Sequence, residues 1–328
     1  NSTQISTGFQ PDWVWIKNRT EGSSDGSGEH MLYDSSRGVH DDLNSNNTSA
    51  EDTNTNGLQE FGSTFFRPGS LTRTNETGDT YVAWNWKANG GTTSSNTDGS
   101  KTSTVQANTT AGFSIVLYSG DSSSFTVGHG LNSAPEWVIV KSRTHSERWT
   151  VFHTSISNQY IYLNESFAGS TGNADERFGN STSVVVPNST VVTLGANNSD
   201  VSKNGENYVM YCFHSVEGYS KFGSYTGNGS TDGTFVYTGF RPAWFLLKRS
   251  DTSGNWLLYD NKRDPDNRVA QGLFPNTSGA ESEQTGGFVD FVSNGVKLKE
   301  DGSAMNASGG TFIYMAFAEQ PFKFSNAR

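Results

Sequence analysis

A chain of 328 residues with a net charge of −10 and only 17% charged side chains has no basic stripe to neutralise phosphates, which argues against nucleic acid as a partner. No run approaches the roughly 18 apolar residues that cross a bilayer as a helix, so membrane insertion of that kind is not expected. Aromatics at 12%, with 8 Trp and 21 Phe, exclude a disordered polar chain and point to short strands whose rings supply most of the burial.

In chain order, the sequence opens at Asn1 without a methionine or a signal peptide, and so reads as a processed product or a part of something longer. A turn with Gly8 and Pro11 leads into a strand that begins at Trp13 and reaches Lys17. A second strand runs from His30 to Asp34, Leu43 precedes an Asn-rich turn, and a closing strand spans Tyr81 to Trp86. The polar stretch from Ala88 to Ser100 has the composition of a flexible linker. A strand from Phe113 to Ser119 then opens a second round. Gly130 and Pro135 precede Trp137 and Lys141, and Trp149 to His153, Leu163 and the Tyr208–Phe213 strand follow. A short join from Val216 to Lys221 leads to a third opener at Phe222. Gly239 and Pro242 then precede Trp244 and Lys248, with Trp256 to Asp260, Leu273 and Phe312 to Phe317 after them.

Ordered correspondences of this kind mean one unit in three copies. Strands of about 5–7 residues with Gly, Asn and Asp between them predict an all-β protein: three tandem antiparallel β-sandwich domains of jelly-roll or concanavalin-like type. The boundaries read as 1–90, a linker over 91–111, then 112–218 and 219–328. Period-two alternation puts Trp84 with Trp86, Tyr211 with Phe213, and Met315 with Phe317 on core faces. Cys212 lies in such a strand and reads as packing; as the sole cysteine it leaves no internal disulfide. Lys17 with Asp34, and Lys248 with Asp260, suggest a cross-strand ion pair that copy two, with Lys141 and His153, would lack. Copy one has no opener. Either upstream sequence supplies it, or the ending Pro321-Phe322-Lys323-Phe324 of one subunit adds to the sheet edge of the next.

Chemistry-bearing patterns are sparse. The six histidines (His30, His40, His129, His145, His153, His214) show no metal-type spacing. His40-Asp41-Asp42 reads as a solvated turn, and Asp264-Pro265-Asp266-Asn267 resembles half of a calcium loop without its glycine and distal Glu. Glu281 and Glu283 stand on a polar loop with no device to pose them as a glycosidase pair, and no Gly-x-Ser-x-Gly elbow is present. No catalytic residue, metal or cofactor is therefore expected. About 13 Asn-x-Ser/Thr triplets stand among roughly 30 asparagines. Asn18, Asn46, Asn75, Asn108, Asn164, Asn180, Asn188, Asn228, Asn276 and Asn306 are candidate glycan acceptors, set against the plain preference of polar turns for Asn before Ser or Thr.

Ser94–Ser100, Ala107–Val116, Glu217–Gly233, Thr238–Trp244 and Tyr314–Phe322 are similar to repeats in predicted tail-fibre and minor virion proteins of marine bacteriophages. The resemblance implies an extracellular component of the virion surface that assembles with itself and with other virion proteins. It supplies no functional residues. The expected role is non-enzymatic: a fibre or decoration protein for assembly and host attachment. The alternatives are an adhesin whose partner is a host surface glycan, and a glycan-coated extracellular filament subunit joined by strand exchange.

Overall fold

The computed structural model describes residues 3–20, 26–284 and 287–321, and their regular structure is almost entirely antiparallel β-strand. Copy one carries β1 (Ile5–Ser6), β2 (Trp13–Asn18), β3 (His30–Asp34), β4 (Asp41–Asn44), β5 (Asp52–Thr53), β6 (Leu58–Gly62), β7 (Phe65–Pro68) and β8 (Tyr81–Trp86). Copy two carries β9 (Ser94–Asn96), β10 (Ser103–Asn108), β11 (Phe113–Ser119), β12 (Phe125–Gly128), β13 (Trp137–Ser142), β14 (Thr150–His153), β15 (Ile161–Tyr162), β16 (Val191–Leu194) and β17 (Asn207–Phe213). Copy three carries β18 (Ser220–Thr226), β19 (Phe235–Tyr237), β20 (Pro242–Arg249), β21 (Leu257–Asp260), β22 (Gln271–Gly272), β23 (Ser282–Glu283), β24 (Val289–Val292), β25 (Gly295–Leu298) and β26 (Thr311–Ala318).

Each copy follows one plan. A larger sheet (β5-β4-β3-β2-β8; β15-β14-β13-β17-β11-β10-β9; β18-β26-β20-β21) is covered on one face by a smaller one (β1-β7-β6; β12-β16; β19-β25-β24). Side chains alternate across a strand, so Val14 and Ile16 meet the small sheet of copy one at Leu58 and Phe66. Val138 and Val140 do the same in copy two, and Phe245 and Leu247 in copy three. Cys212 is buried in the second of these cores as a free thiol.

The alternate residues point the other way, into a cluster common to all three copies. Trp13, Trp15, Trp84 and Trp86 meet Phe113, Trp137, Trp149, Tyr211 and Phe213, and also Phe222, Trp244, Trp256, Met315 and Phe317. All eight tryptophans of the chain belong to it. The three opening tryptophans occupy matching registers: Trp13 opposite Trp86 and Asp34, Trp137 opposite Phe213 and His153, Trp244 opposite Phe317 and Asp260. With both faces covered, β2 and β13 are buried along their whole length. At roughly 25 cal/mol per Å² and 150–250 Å² per aromatic ring, the common cluster is a major stabilising element. The copies thus share a core and do not bury their inner faces separately.

Residues 91–111, expected as a linker, contain two strands, β9 and β10. Here β10 pairs with β11 from Thr104↔Leu117 to Asn108↔Phe113, and β9 extends the sheet beyond it. β9 is the exposed edge of the sheet, while β10 buries Ser103 and Gln106 with their side chains hydrogen-bonded to Gly128, Ser35 and Ser36, so the polar composition of both resembled a linker. The turn before them is fixed by Asp12, whose carboxylate accepts from the backbone N–H groups of Ala88, Gly90 and Gly91 at 2.7–2.9 Å. One further asymmetry matters. β17 sits between β13 and β11, and β26 between β20 and β18, whereas β8 has β2 on one side and, among the described residues, no strand on the other.

Candidate functional site

The open side of β8 borders a groove of about 790 Å³. Its floor is aromatic, made by Trp84, Trp86, Trp244 and Phe317, and Glu319 and Pro321 stand at its mouth. Trp86 meets Trp244 edge-on at 5.7 Å and 89°, and Phe317 at 5.7 Å and 67°. In an antiparallel ladder, alternate residues bond to alternate neighbours. The Arg19 N–H to Thr80 carbonyl bond of 2.8 Å sets the phase, so Ala83 and Asn85 turn their backbone groups toward the groove. Asn85 Nδ2 donates to the Ala83 carbonyl at 3.2 Å, covering one edge acceptor. Trp244 Nε1 is buried with no acceptor among the described residues. Backbone groups along a wall and rings along a floor form a seat for an extended, apolar peptide.

Around the ring the copies are tied by repeated polar contacts. The predicted Lys–Asp pairs do not form: Lys17 lies opposite His30 in the register, while Asp34 lies opposite Trp13. Lys17 Nζ donates to the carbonyls of Asn18 (2.6 Å) and, in copy three, Ser278 (3.4 Å). Lys141 donates to Ser142 (2.8 Å) and, in copy one, Thr48 (3.3 Å). Lys248 donates to Arg249 (2.6 Å) and, in copy two, Ser166 (3.5 Å). The contacts therefore run one to three, two to one and three to two, closing a circle. All three lysines are buried, and burial pulls their pKa down, to about 8 for Lys17 and Lys248 and about 7 for Lys141.

The aspartates take arginine partners from the turn that follows. Arg37 Nε donates to Asp34 Oδ2 at 2.5 Å and Nη1 to Glu51 at 3.0 Å, and Glu51 receives Arg143 of copy two at 2.7 Å. Tyr211 of copy two also donates to Asp34, at 2.7 Å. The same set recurs between copies three and one: Arg263 with Asp260 (2.6 Å) and Glu281 (2.8 Å), Glu281 with Arg19 (2.7 Å), and Trp84 Nε1 with Asp260 (3.1 Å). Burial opposes charge on Arg37, but Asp34, Tyr211 and Glu51 outweigh it and hold the guanidinium well above its ordinary pKa. Glu281 is likewise destabilised by burial, yet its bonds to Arg19 and Arg263 bring it below the usual carboxylate value. Between copies two and three the whole set is replaced. His153 stands in the aspartate place, Ile156 in the arginine place, and Met315 in the place of Tyr211 and Trp84. Burial pushes His153 down to about 3, so it stays neutral.

The asparagine candidates divide by burial. Asn18, Asn164 and Asn306 are buried, which corrects their reading as acceptors in the folded chain. Asn306 Nδ2 donates to Asn228, Ser230 and Glu300. Asn46, Asn164 and Asn276 play equivalent parts, since each side-chain oxygen accepts the backbone N–H that starts the second strand of its copy, at His30, Trp149 and Trp256 (2.9–3.0 Å). Asn108 Nδ2 donates to the Lys87 carbonyl at 3.2 Å. Asn75, Asn180, Asn188 and Asn228 are not buried, and in Asn180 and Asn188 the side-chain oxygen closes a local turn.

Glu281, half of the carboxylate pair weighed in the sequence, is the bridge between two arginines, while Glu283 pairs with Arg268. Asp264 accepts from the backbone of Ala270 and Gln271, a structural turn. Asp41 and Asp42, expected in a solvated turn, instead open β4, where Asp42 is buried opposite Tyr33, and burial beside Asp52 raises its carboxyl to about 7. No group of three metal-type ligands occurs among the described residues. The arginines were the residues hardest to foresee. Their only sequence signal is Asp-x-x-Arg, repeated at Asp34/Arg37 and Asp260/Arg263.

Compared with known proteins, residues 1–321 match the profile of a family described as Domain of unknown function (DUF7483). No curated protein and no solved structure matches.

Proposed function

The chain thus belongs to that family of unknown function, and we propose that it is a non-enzymatic structural protein of a virus particle, a fibre or surface-decoration component serving assembly and host attachment. One observation carries the reading: three copies lock around a common core of eight tryptophans through contacts that close a circle. Such a block suits a building unit, since its scaffold can hold a fixed shape whatever its loops carry. The similarity of its sequence segments to phage tail-fibre and minor virion repeats points the same way. Its partners would be further copies of itself and other virion proteins, and its place the particle exterior. The test is gold labelling of intact purified particles with an antibody to this chain, alongside mass spectrometry of their proteins. Label on the exterior is expected; absence of the chain from purified particles would refute the reading.

A carbohydrate-binding adhesin is the second reading. It is favoured by Phe235 and Tyr237, which share a face of β19 and are 43% and 64% exposed, a stacking platform of the kind sugars use. Binding on a glycan array that is lost in Tyr237→Ala would support it.

A further inference from the structure

In copies two and three, the strand that opens the copy pairs with its closing strand and seats a phenylalanine in the common core. Phe113, on β11, lies 4.7 Å from Phe213 of its own copy and 5.9 Å from Trp13 of copy one. Phe222, on β18, lies 6.0 Å from Phe317 of its own copy and 6.3 Å from Trp137 of copy two. Each opener's ring therefore touches the closing strand of its own copy and the opening tryptophan of the preceding one. Phe113 lies opposite Phe213, and Phe222 opposite Met315, a position two residues earlier on the closing strand. The corresponding seats in copy one therefore lie opposite Trp86 and Trp84, the first of them bounded also by Trp244 of copy three. Those rings floor the groove beside β8.

The described chain also ends beside that place. β18 follows β17 after a short turn, and the copy-three counterpart of β17 is β26. After β26, the Glu319 N–H bonds the Arg241 carbonyl at 2.9 Å, its carboxylate pairs with Arg241 at 2.7 Å, and Pro321 lines the groove. The next residues in the sequence, Phe322-Lys323-Phe324, lie outside the described ones. Directly opposed residues of an antiparallel pair share a face, so Phe322 and Phe324 opposite Trp86 and Trp84 would both point into the core, with Lys323 outward.

We propose that the segment Phe322–Arg328 adds as an antiparallel strand to the free edge of β8 in its own chain. It would supply an opener for copy one, with Phe322 in the seat between Trp86 and Trp244. Strand addition satisfies the Ala83 and Asn85 backbone groups and covers the aromatic floor together. The tether also favours this occupant over a second molecule, since a linked strand acts at millimolar effective concentration. The proposal does not depend on the assignment to a virus particle.

Hydrogen exchange of the Ala83 and Asn85 amides tests it, with the β20 amides as an internal check on the fold. In the full chain these two amides should be protected, and deletion of 322–328 should speed their exchange at least about 100-fold. Phe322→Asp and Phe324→Asp should do the same, whereas Lys323→Asp should change little. A synthetic 321–328 peptide in excess should restore protection to the truncated chain. Equal exchange in full and truncated chains would overturn the proposal, as would equal effects at 322 and 323. So would truncation that exposes the β20 amides too without rescue by peptide. Protection that rises with protein concentration alongside dimers or longer oligomers on light scattering would assign the groove to a second copy instead.

Discussion

Replacing Arg37 by Ile is the sharpest perturbation of the ring, because the molecule contains its own control. The Arg37 side chain is fully buried and donates to Asp34, Glu51 and the Leu32 carbonyl at 2.5–3.0 Å. Its loss leaves the Asp34 carboxylate buried with only Tyr211 and local backbone donors, and removing one partner of a buried pair costs about 3–5 kcal/mol. Copy two presents Ile156 in the same place without that penalty, because His153 and Met315 accompany it. Hence Asp34→His with Arg37→Ile should be less destabilising than the sum of the two single changes, by about 2 kcal/mol of coupling. Adding Tyr211→Met should recover more. The assay is urea unfolding at pH 7 followed by tryptophan emission. A loss under about 1 kcal/mol for Arg37→Ile alone, or strictly additive single effects, would refute the idea that the three residues form an exchangeable set.

Other outcomes follow from the same contacts. Lys17, Lys141 and Lys248 have folded pKa values near 8, 7 and 8, against 10.5 in the unfolded chain. Between those values the unfolded chain holds protons the folded one has released, so stability should rise as pH goes from about 7 to 9.5. Lys141→Met should flatten that rise in melting temperature, and an unchanged slope would contradict the assignment. Asn46→Ala, Asn164→Ala or Asn276→Ala should each cost about 1 kcal/mol in urea titrations through loss of the strand-starting bond, whereas Asn180→Ala should cost little. If the chain is secreted by a glycosylating host, peptide mapping of folded molecules should find glycan at Asn180 or Asn188 and none at Asn164 or Asn306. Residues 112–218 made alone should fail to fold on near-ultraviolet dichroism, since Trp137, Trp149 and Phe213 would face water; a stable isolated copy would show that the common core is dispensable.

The strands, the threefold recurrence and the core faces were legible because period-two alternation of large rings survives in every copy. What lies between copies was not. Trp84 and Trp86 announce burial, but alternation alone cannot say whether the covering surface belongs to the same copy or the next. The Lys–Asp idea failed for a related reason. Recurrence placed Lys17 and Asp34 in neighbouring strands but gave no register, and the register sets them four residues apart along the ladder. The linker misreading reflects an exposed edge strand, β9, beside one, β10, whose buried polar side chains are satisfied by hydrogen bonds. The groove beside β8 was foreshadowed by the difference between the start of copy one and that of the other two, although its aromatic floor required the fold.

A trimer of identical subunits would be obliged to use one solution at every seam. Fusing three units into a single gene lifts that obligation, and this chain has used the freedom: two seams carry buried charge, while the third replaces that set with neutral residues. Acid should therefore act unevenly. Glu51 and Glu281 titrate below the usual range while bonded to arginine, so their contribution holds above that range and fades as pH falls through their folded values. The seam between the second and third copies responds first. Burial keeps His153 neutral in the fold down to about pH 3, against 6.5 when unfolded, so that seam's stability falls as pH drops below about 6.5. The circle would open there while the two charged seams still hold.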